Sequence, residues 1–259
     1  MMNEEDLEKK GNDLFNLGKF DEAIDCFDKV LKINPTNEKI LNNKGIALAM
    51  GFGRFDEAVE CFDKVLEINS NDEHALNNKG LTLESLGRFE EAFDYFNKVL
   101  KINPTNHDAI FNKGSSLLNF GRFDEAVECF DKVLEINPTN DAAIFNKGMV
   151  LGNLGDYVEA LKCFEEVLKI NPLDDEALNK KGVALNNLDR VDEAIECFDK
   201  ALEINPNNDN VLADKGLILE SLGDYVEAIK CFDEAVNINP NNEIALEHSF
   251  RGKNQTISF

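Results

Sequence analysis

The chain has 259 residues, 43 % of them hydrophobic and 30 % charged, and 50 acidic side chains against 27 basic ones give a net charge of −23. That excess argues against a surface built for nucleic acid or anionic lipid, because both are polyanions that need clustered Lys and Arg. The longest apolar run, Ile46–Met50, falls far short of the ~20 residues that span a bilayer, and the acidic start Met1-Met2-Asn3-Glu4-Glu5-Asp6 reads as neither secretory signal nor transit peptide, so a cytoplasmic protein is expected.

The organisation is periodic. Gly11, Gly45, Gly80, Gly114, Gly148, Gly182 and Gly216 follow one another at steps of 34 or 35 residues. A fixed step of this size marks tandem supersecondary units. The units are 4–37, 38–72, 73–106, 107–140, 141–174, 175–208 and 209–242, together an array over 1–242. Each is expected to hold a helix A, a short turn, a helix B and a stop.

Repeat one sets the columns: Gly11 in helix A, then Ala23, Cys26, Phe27 and Val30 in helix B, closed by Pro35. Repeat two has one extra residue in Ala49-Met50-Gly51-Phe52-Gly53, and Ser70 replaces the closing proline. Repeat three keeps Ala92 and Phe96 but has Tyr95 where the other repeats have cysteine. Repeat four shows the helical stripe: Ile110, Phe111, Gly114, Leu117 and Leu118, a turn at Gly121, then Ala126, Val127, Phe130, Val133, Leu134 and Ile136. Spacing of i, i+3/i+4, i+7 is that of an amphipathic helix. Repeats five, six and seven follow suit, with Ala201 and Ala235 replacing valine in the last two.

The boundaries are marked in every repeat. Asn37, Asp72, Asn106, Asn140, Asp174, Asn208 and Asn242 precede the helix A segments, and Asn and Asp are favoured N-caps because the side chain accepts an orphan N–H. Glu22, Glu57, Glu91, Glu125, Glu159, Glu193 and Glu227 lie in the first turn of helix B, where a carboxylate complements the helix dipole. Proline after Asn ends helix B. After the seventh repeat, 243–250 predicts a short cap helix with Phe250 where glycine is due, and 251–259 predicts a loose tail. Self-association through that end, or insertion of Ile257 and Phe259 into another copy, is a possible consequence.

The glycine and alanine columns predict close helix crossings filled by the Phe column. A helix of ~13 residues is marginal alone, so the units must stack. Cys26, Cys61, Cys129, Cys163, Cys197 and Cys231 share one column. Equivalent points on stacked helices lie ~8–10 Å apart, beyond the ~7 Å a disulfide tolerates. They read as packing thiols in a reducing compartment.

The 34-residue period with Leu or Ile four before glycine, an aromatic after the turn glycine, the Ala and Phe columns and the closing proline resembles the tetratricopeptide repeat (TPR) family over 4–242. Two departures stand out. Leu or Ile stands where that family has a large aromatic, and Lys10, Lys44, Lys79, Lys113, Lys147, Lys181 and Lys215 precede the glycines where it usually has an apolar residue. A snorkelling stem with its ammonium near solvent or a carboxylate explains such a lysine. The resemblance implies an all-α, right-handed superhelical solenoid that binds a protein or peptide in a concave groove lined by helix A.

Carried onto this chain, the resemblance places Asn42, Ile46, Asn77, Leu81, Phe111, Leu118, Asn119, Phe145, Met149, Asn153, Asn179 and Val183 in that groove. These positions vary between repeats while the packing columns hold, as expected of a surface tuned to a ligand. Phe111, Leu118, Phe145 and Met149 form a candidate apolar patch, unless they pack locally. Chaperone-binding members of the family grip a terminal carboxylate with basic residues. The lining carried over here holds Glu but no Lys or Arg, so a neutral or basic, partly apolar segment is the expected ligand.

No catalytic constellation emerges. His74, His107 and His248 lack ligand-spaced partners, no phosphate-cradling glycine motif occurs, and no cofactor is expected. The function read from the sequence is a non-catalytic protein-interaction scaffold, the alternative being a regulatory or substrate-docking subunit of a larger enzyme complex. RNA binding needs a basic groove, which an acidic chain does not supply.

Overall fold

Every helix A opens on a side chain that satisfies an orphan amide. Asn37, Asp72, Asn106, Asn140, Asp174, Asn208 and Asn242 each accept from the N–H three residues on, at 2.7–3.2 Å. Asn3 does the same for the first helix, accepting from Asp6 N–H at 2.8 Å. The computed structural model describes residues 2–256, with side chains through Phe250. Those residues form fifteen α-helices, seven helix pairs and a last single helix.

The pairs are α1 (Glu4–Asn16) with α2 (Phe20–Ile33), α3 (Glu38–Phe52) with α4 (Phe55–Ile68), α5 (Glu73–Ser85) with α6 (Phe89–Ile102), and α7 (His107–Asn119) with α8 (Phe123–Ile136). Then come α9 (Asp141–Asn153) with α10 (Tyr157–Ile170), α11 (Asp175–Asn187) with α12 (Val191–Ile204), and α13 (Asp209–Ser221) with α14 (Tyr225–Ile238). The last is α15 (Glu243–Thr256). The chain divides into two compact units, one ending at Lys132 and one beginning at Val133, with the division inside α8.

Within each unit, helices pack on their sequence neighbours. In the first, α2 bridges α1 and α3, α4 bridges α3 and α5, and α6 bridges α5 and α7. In the second, α10 bridges α9 and α11, α12 bridges α11 and α13, and α14 bridges α13 and α15. Successive A helices also touch: α1–α3–α5–α7 in the first unit and α9–α11–α13 in the second. This is the solenoid principle, in which each repeat contacts only its neighbours.

The core is the Phe column. Phe27, Phe62, Phe96, Phe130, Phe164, Phe198 and Phe232 are all buried, as are Ala23, Ala58, Ala92, Ala126, Ala160, Ala194 and Ala228. The helix A glycines exist for these rings: a β-carbon on Gly182 would stand 2.7 Å from Cε1 of Phe198. The cysteines flank the rings and none of the six is in a disulfide. Burial pushes the thiols of Cys61, Cys129, Cys197 and Cys231 above their ordinary range, which removes the thiolate that reacts.

The lysine column ties helix A to the preceding helix B. Lys44 Nζ lies 2.5 Å from Asp28, Lys181 3.1 Å from Glu165 and Lys215 2.6 Å from Asp199; Lys79 pairs with Asp63. In α15 the same seat holds Ser249, which donates to Asp233 at 2.5 Å.

Six of the seven turns pass through a left-handed glycine: Gly18, Gly53, Gly87, Gly121, Gly155 and Gly223, with φ between 61° and 84°. In repeat six Asp189 takes that seat at φ 58°, the only non-glycine with positive φ among the described residues. A β-carbon is disfavoured there. Asp189→Gly is therefore expected to raise stability by about 0.5–1 kcal/mol, after the larger unfolded-state entropy of glycine is counted. Urea unfolding checks it; an unchanged or lower midpoint would mean that the Asp189 side chain contributes more than the strain it carries.

The C-terminal helix runs to Thr256, six residues past the short cap expected from the sequence. It docks through Ala245, which is fully buried, and through His248, which stacks on Phe232 and lies 2.6 Å from Glu220. Phe250, in the glycine column, is 68 % exposed. Ile257 and Phe259 lie outside the described residues.

Candidate partner-binding site

The A helices of the first unit are joined by an amide ladder. Asn43 donates to Asn12 at 2.9 Å, Asn78 to Asn42 at 3.0 Å and Asn112 to Asn77 at 2.9 Å. The Oδ1 atoms of Asn42 and Asn77 are thus engaged by the next repeat. The ladder stops at Phe111, which has no amide to offer. In the second unit Asn179 is buried and donates to Asp214 at 3.0 Å. Burial raises the Asp214 carboxyl above its ordinary range, against the pull of the Asn179 amide and Lys180.

The other residues expected in the groove have varied surroundings. Ile46 packs partly buried against Ala47, Leu48 and Phe62. Leu81 is 39 % exposed and Asn119 is exposed, while Leu118 is half-buried. Phe111 is half-buried, edge-on to Phe130 of its own repeat at 5.7 Å. Phe145 meets Phe164 in the same way at 5.7 Å. Both rings pack locally, each in its own unit, and still show a face to solvent.

The structure brings Met149, Asn153 and Val183 together. They line a pocket of about 280 Å³ between α9 and α11, floored by Phe164, Ala160 and Ala184. Gly152 opens it, since no atom lies within 4 Å of where its β-carbon would be. The equivalent positions elsewhere are Phe15, Ala49, Glu84, Leu118, Asn186 and Glu220; only repeat five leaves this seat bare. Tyr157, Lys180 and Asn187 supply polar groups at the wall. Phe145 faces a neighbouring hollow of about 450 Å³ whose charged lining is Asp141, Asp174 and Glu176.

Lys180 corrects the expectation of a lining without a base. It was missed because the family's lining positions do not include it. The signal was available: the column Asn43, Asn78, Asn112, Asn146 becomes lysine at position 180. Tyr157 was missed because it heads helix B and reads as a turn residue.

Among the described residues no cluster of three or more His, Cys, Asp or Glu side chains could hold a metal ion. No described helix is long and apolar enough to cross a membrane.

Family models described as tetratricopeptide repeat match residues 8–37, 38–72, 74–106, 95–128 and 210–242. The chain belongs to the tetratricopeptide repeat family. A further model, the N-terminal TPR repeats region of Psidin, matches 115–217. No curated protein matches the chain. Among solved structures, a TPR protein from Parabacteroides merdae ATCC 43184 is similar over 96 % of this chain and 98 % of its own, at 20 % identity and a TM-score of 0.79. YrrB, described as a TPR protein with an unusual peptide-binding site, is 25 % identical, covering 73 % of this chain and 97 % of its own at a TM-score of 0.56. The Cut9–Hcn1 hetero-tetramer of the APC/C matches at 18 % identity and a TM-score of 0.78, over 93 % of this TPR chain and 48 % of that one.

Proposed function

We propose that this TPR protein binds a segment of a partner protein, and that the pocket at Gly152 receives an apolar side chain of that segment. The observation that carries the reading is the pocket itself. Its volume of about 280 Å³ holds one large side chain, and hot spots of binding are buried anchors in such pockets. Phe164, Met149 and Val183 supply the apolar contact; Asn153, Asn187 and Tyr157 offer hydrogen bonds to the backbone on either side of the anchor. The peptide-binding site in the description of YrrB supports a peptide ligand for this array too. The reading assigns the chain no reaction, and its buried thiols favour a reducing compartment.

Gly152→Leu tests it. Leucine is the residue that repeat four carries at this seat, as Leu118, and its side chain would fill the cavity from the open seat, where no neighbouring atom lies within 4 Å of the added β-carbon. Peptides selected by the wild type from a displayed library are expected to share an apolar anchor and to lose at least tenfold in affinity for the variant, about 1.4 kcal/mol. Peptides that bind both proteins equally would sink the pocket as the binding site.

Self-association through α15 is the second reading, favoured by Phe250 and Ile244, which are 68 % and 45 % exposed. Phe250→Ser would then shift a dimer to monomer in sedimentation velocity; a wild type that is monomeric at every concentration rules it out.

A further inference from the structure

Repeat three departs from its neighbours at three positions that meet at one place. Asn97 stands where the other repeats have Asp28, Asp63, Asp131, Glu165, Asp199 and Asp233. Asp28, Asp63, Glu165 and Asp199 each receive the lysine of the next helix A, as with Lys44 on Asp28 at 2.5 Å. Asn97 cannot neutralise Lys113. Phe93 stands where the other repeats have an aliphatic residue, and Tyr95 where they have cysteine. Phe93 lies under the cation that the acid would have served, with Lys113 Nζ 5.1 Å from its centroid, and Tyr95 lies under Lys98 of its own helix, with Nζ 4.1 Å from its centroid. A ring face holds an ammonium in place but leaves its charge unspent.

The result is a hollow of about 540 Å³ lined by Lys98, Lys101 and Lys113 with Asn97, Leu100 and a single acid, Asp94. None of the three lysines makes an ion pair among the described residues. Arg122 adds its guanidinium over the same Phe93 ring as Lys113, 5.3 Å from the centroid, while bonded to Glu125. On a chain of net charge −23, this is a local reversal of sign. The hollow is built from α6 and from Lys113 of α7, within the first unit, and shares no residue with the pocket at Gly152.

We propose that this hollow is a second docking surface, for a short acidic segment of a partner protein. Its three cations fit two or three carboxylates placed close together. The surrounding acidic surface disfavours extended polyanions, such as nucleic acid or an anionic bilayer, which would bring charge against it far beyond the hollow. A short acidic stretch flanked by neutral or basic residues meets only the lysines.

The chain carries its own control. Repeat one presents the same frame, Lys29, Lys32 and Lys44, but with Asp28 in place. Asn97→Asp copies that arrangement, so the variant is expected to fold and to pair Lys113. The test is fluorescence polarisation of a short labelled Glu/Asp peptide with the full chain at low salt, beside a Gln/Asn peptide of equal length. The acidic peptide is expected to bind and the neutral one not. Asn97→Asp is expected to weaken binding about tenfold or more, and Lys101→Gln to weaken it less, since one rim charge of three is lost. Lys32→Gln and Gly152→Leu should leave it unchanged. Equal binding by wild type and Asn97→Asp would overturn the proposal. So would an equal loss in Lys32→Gln, which would show a diffuse charge effect. Binding to phosphatidylserine vesicles that is lost in Asn97→Asp, without binding of the peptide, would assign the hollow to a membrane instead.

Discussion

Phe198→Ala is expected to cost about 3–5 kcal/mol of unfolding free energy, the range for a buried aromatic cut back to a methyl group. The ring is fully buried, in a cluster with Ala160, Leu178, Leu185, Ala194 and Val211. It lies on Gly182, whose missing side chain is what lets the ring in. Neither glycine nor the surrounding alanines can swing across to fill the void, so the site collapses poorly and the loss should sit near the upper end. Because a solenoid repeat is held only by its neighbours, the damage should be graded along the chain. Amide exchange should accelerate most in α11 and α12, less in α13 and α10. Denaturant unfolding gives the energy and exchange gives the map. A loss under about 1 kcal/mol, or uniform acceleration, would show that the ring is not the joint between these helices.

Gly182→Ala and Gly152→Ala should move stability in opposite directions, although both glycines are helical. Alanine in a helix interior is better than glycine by about 1 kcal/mol. At Gly152 nothing lies within 4 Å of the added carbon, and with the residue next to last in α9 part of that gain should appear, as a higher midpoint. At Gly182 the added carbon would stand 2.7 Å from Cε1 and 2.9 Å from Cζ of Phe198. The ring is boxed in on its other sides and must push α11 and α12 apart. Overpacking of this kind costs about 1–3 kcal/mol, which outweighs the propensity gain. Thermal unfolding followed by circular dichroism compares the two. Gly182→Ala with Phe198→Leu should recover part of the loss, because leucine vacates the space that the new methyl takes. Two stabilising glycine substitutions would refute the close-approach account of the whole column.

The elements themselves were legible because their signals are local and repeated. Each expected cap, from Asn37 to Asn242, makes its bond to the N–H three residues on. The glycine and phenylalanine columns meet as their small-and-large pairing required. The lysine before each glycine could be read as a snorkelling stem, but its partner could not. Lys44 and Asp28 are sixteen residues apart in sequence and on different helices, and only stacking brings that pair to bonding distance. The lost glycine period at Phe250 predicts an end to the cap helix, yet α15 continues to Thr256. Helix continuation depends on backbone bonds that the period does not report.

The candidate site divides along the same line. Met149 and Val183 were identified as lining from the family's positions, and the cavity is where they meet. The amide engagement of Asn42, Asn77 and Asn179 was invisible because each bond crosses to a neighbouring A helix, more than thirty residues away. The pocket depended on an absence, the bare seat at Gly152, which matters only once Phe164 and Val183 are placed around it. Period and cap residues by themselves determined the helix pairs, their ends and the packing columns, since each of these rests on contacts within one repeat or on a rule shared by all seven. The tertiary structure alone decided which side chains of different repeats face one another: Lys180 beside Met149, and Lys113 over Phe93, where a carboxylate would otherwise stand. Those meetings depend on the rise and rotation from one helix pair to the next, which no single repeat encodes.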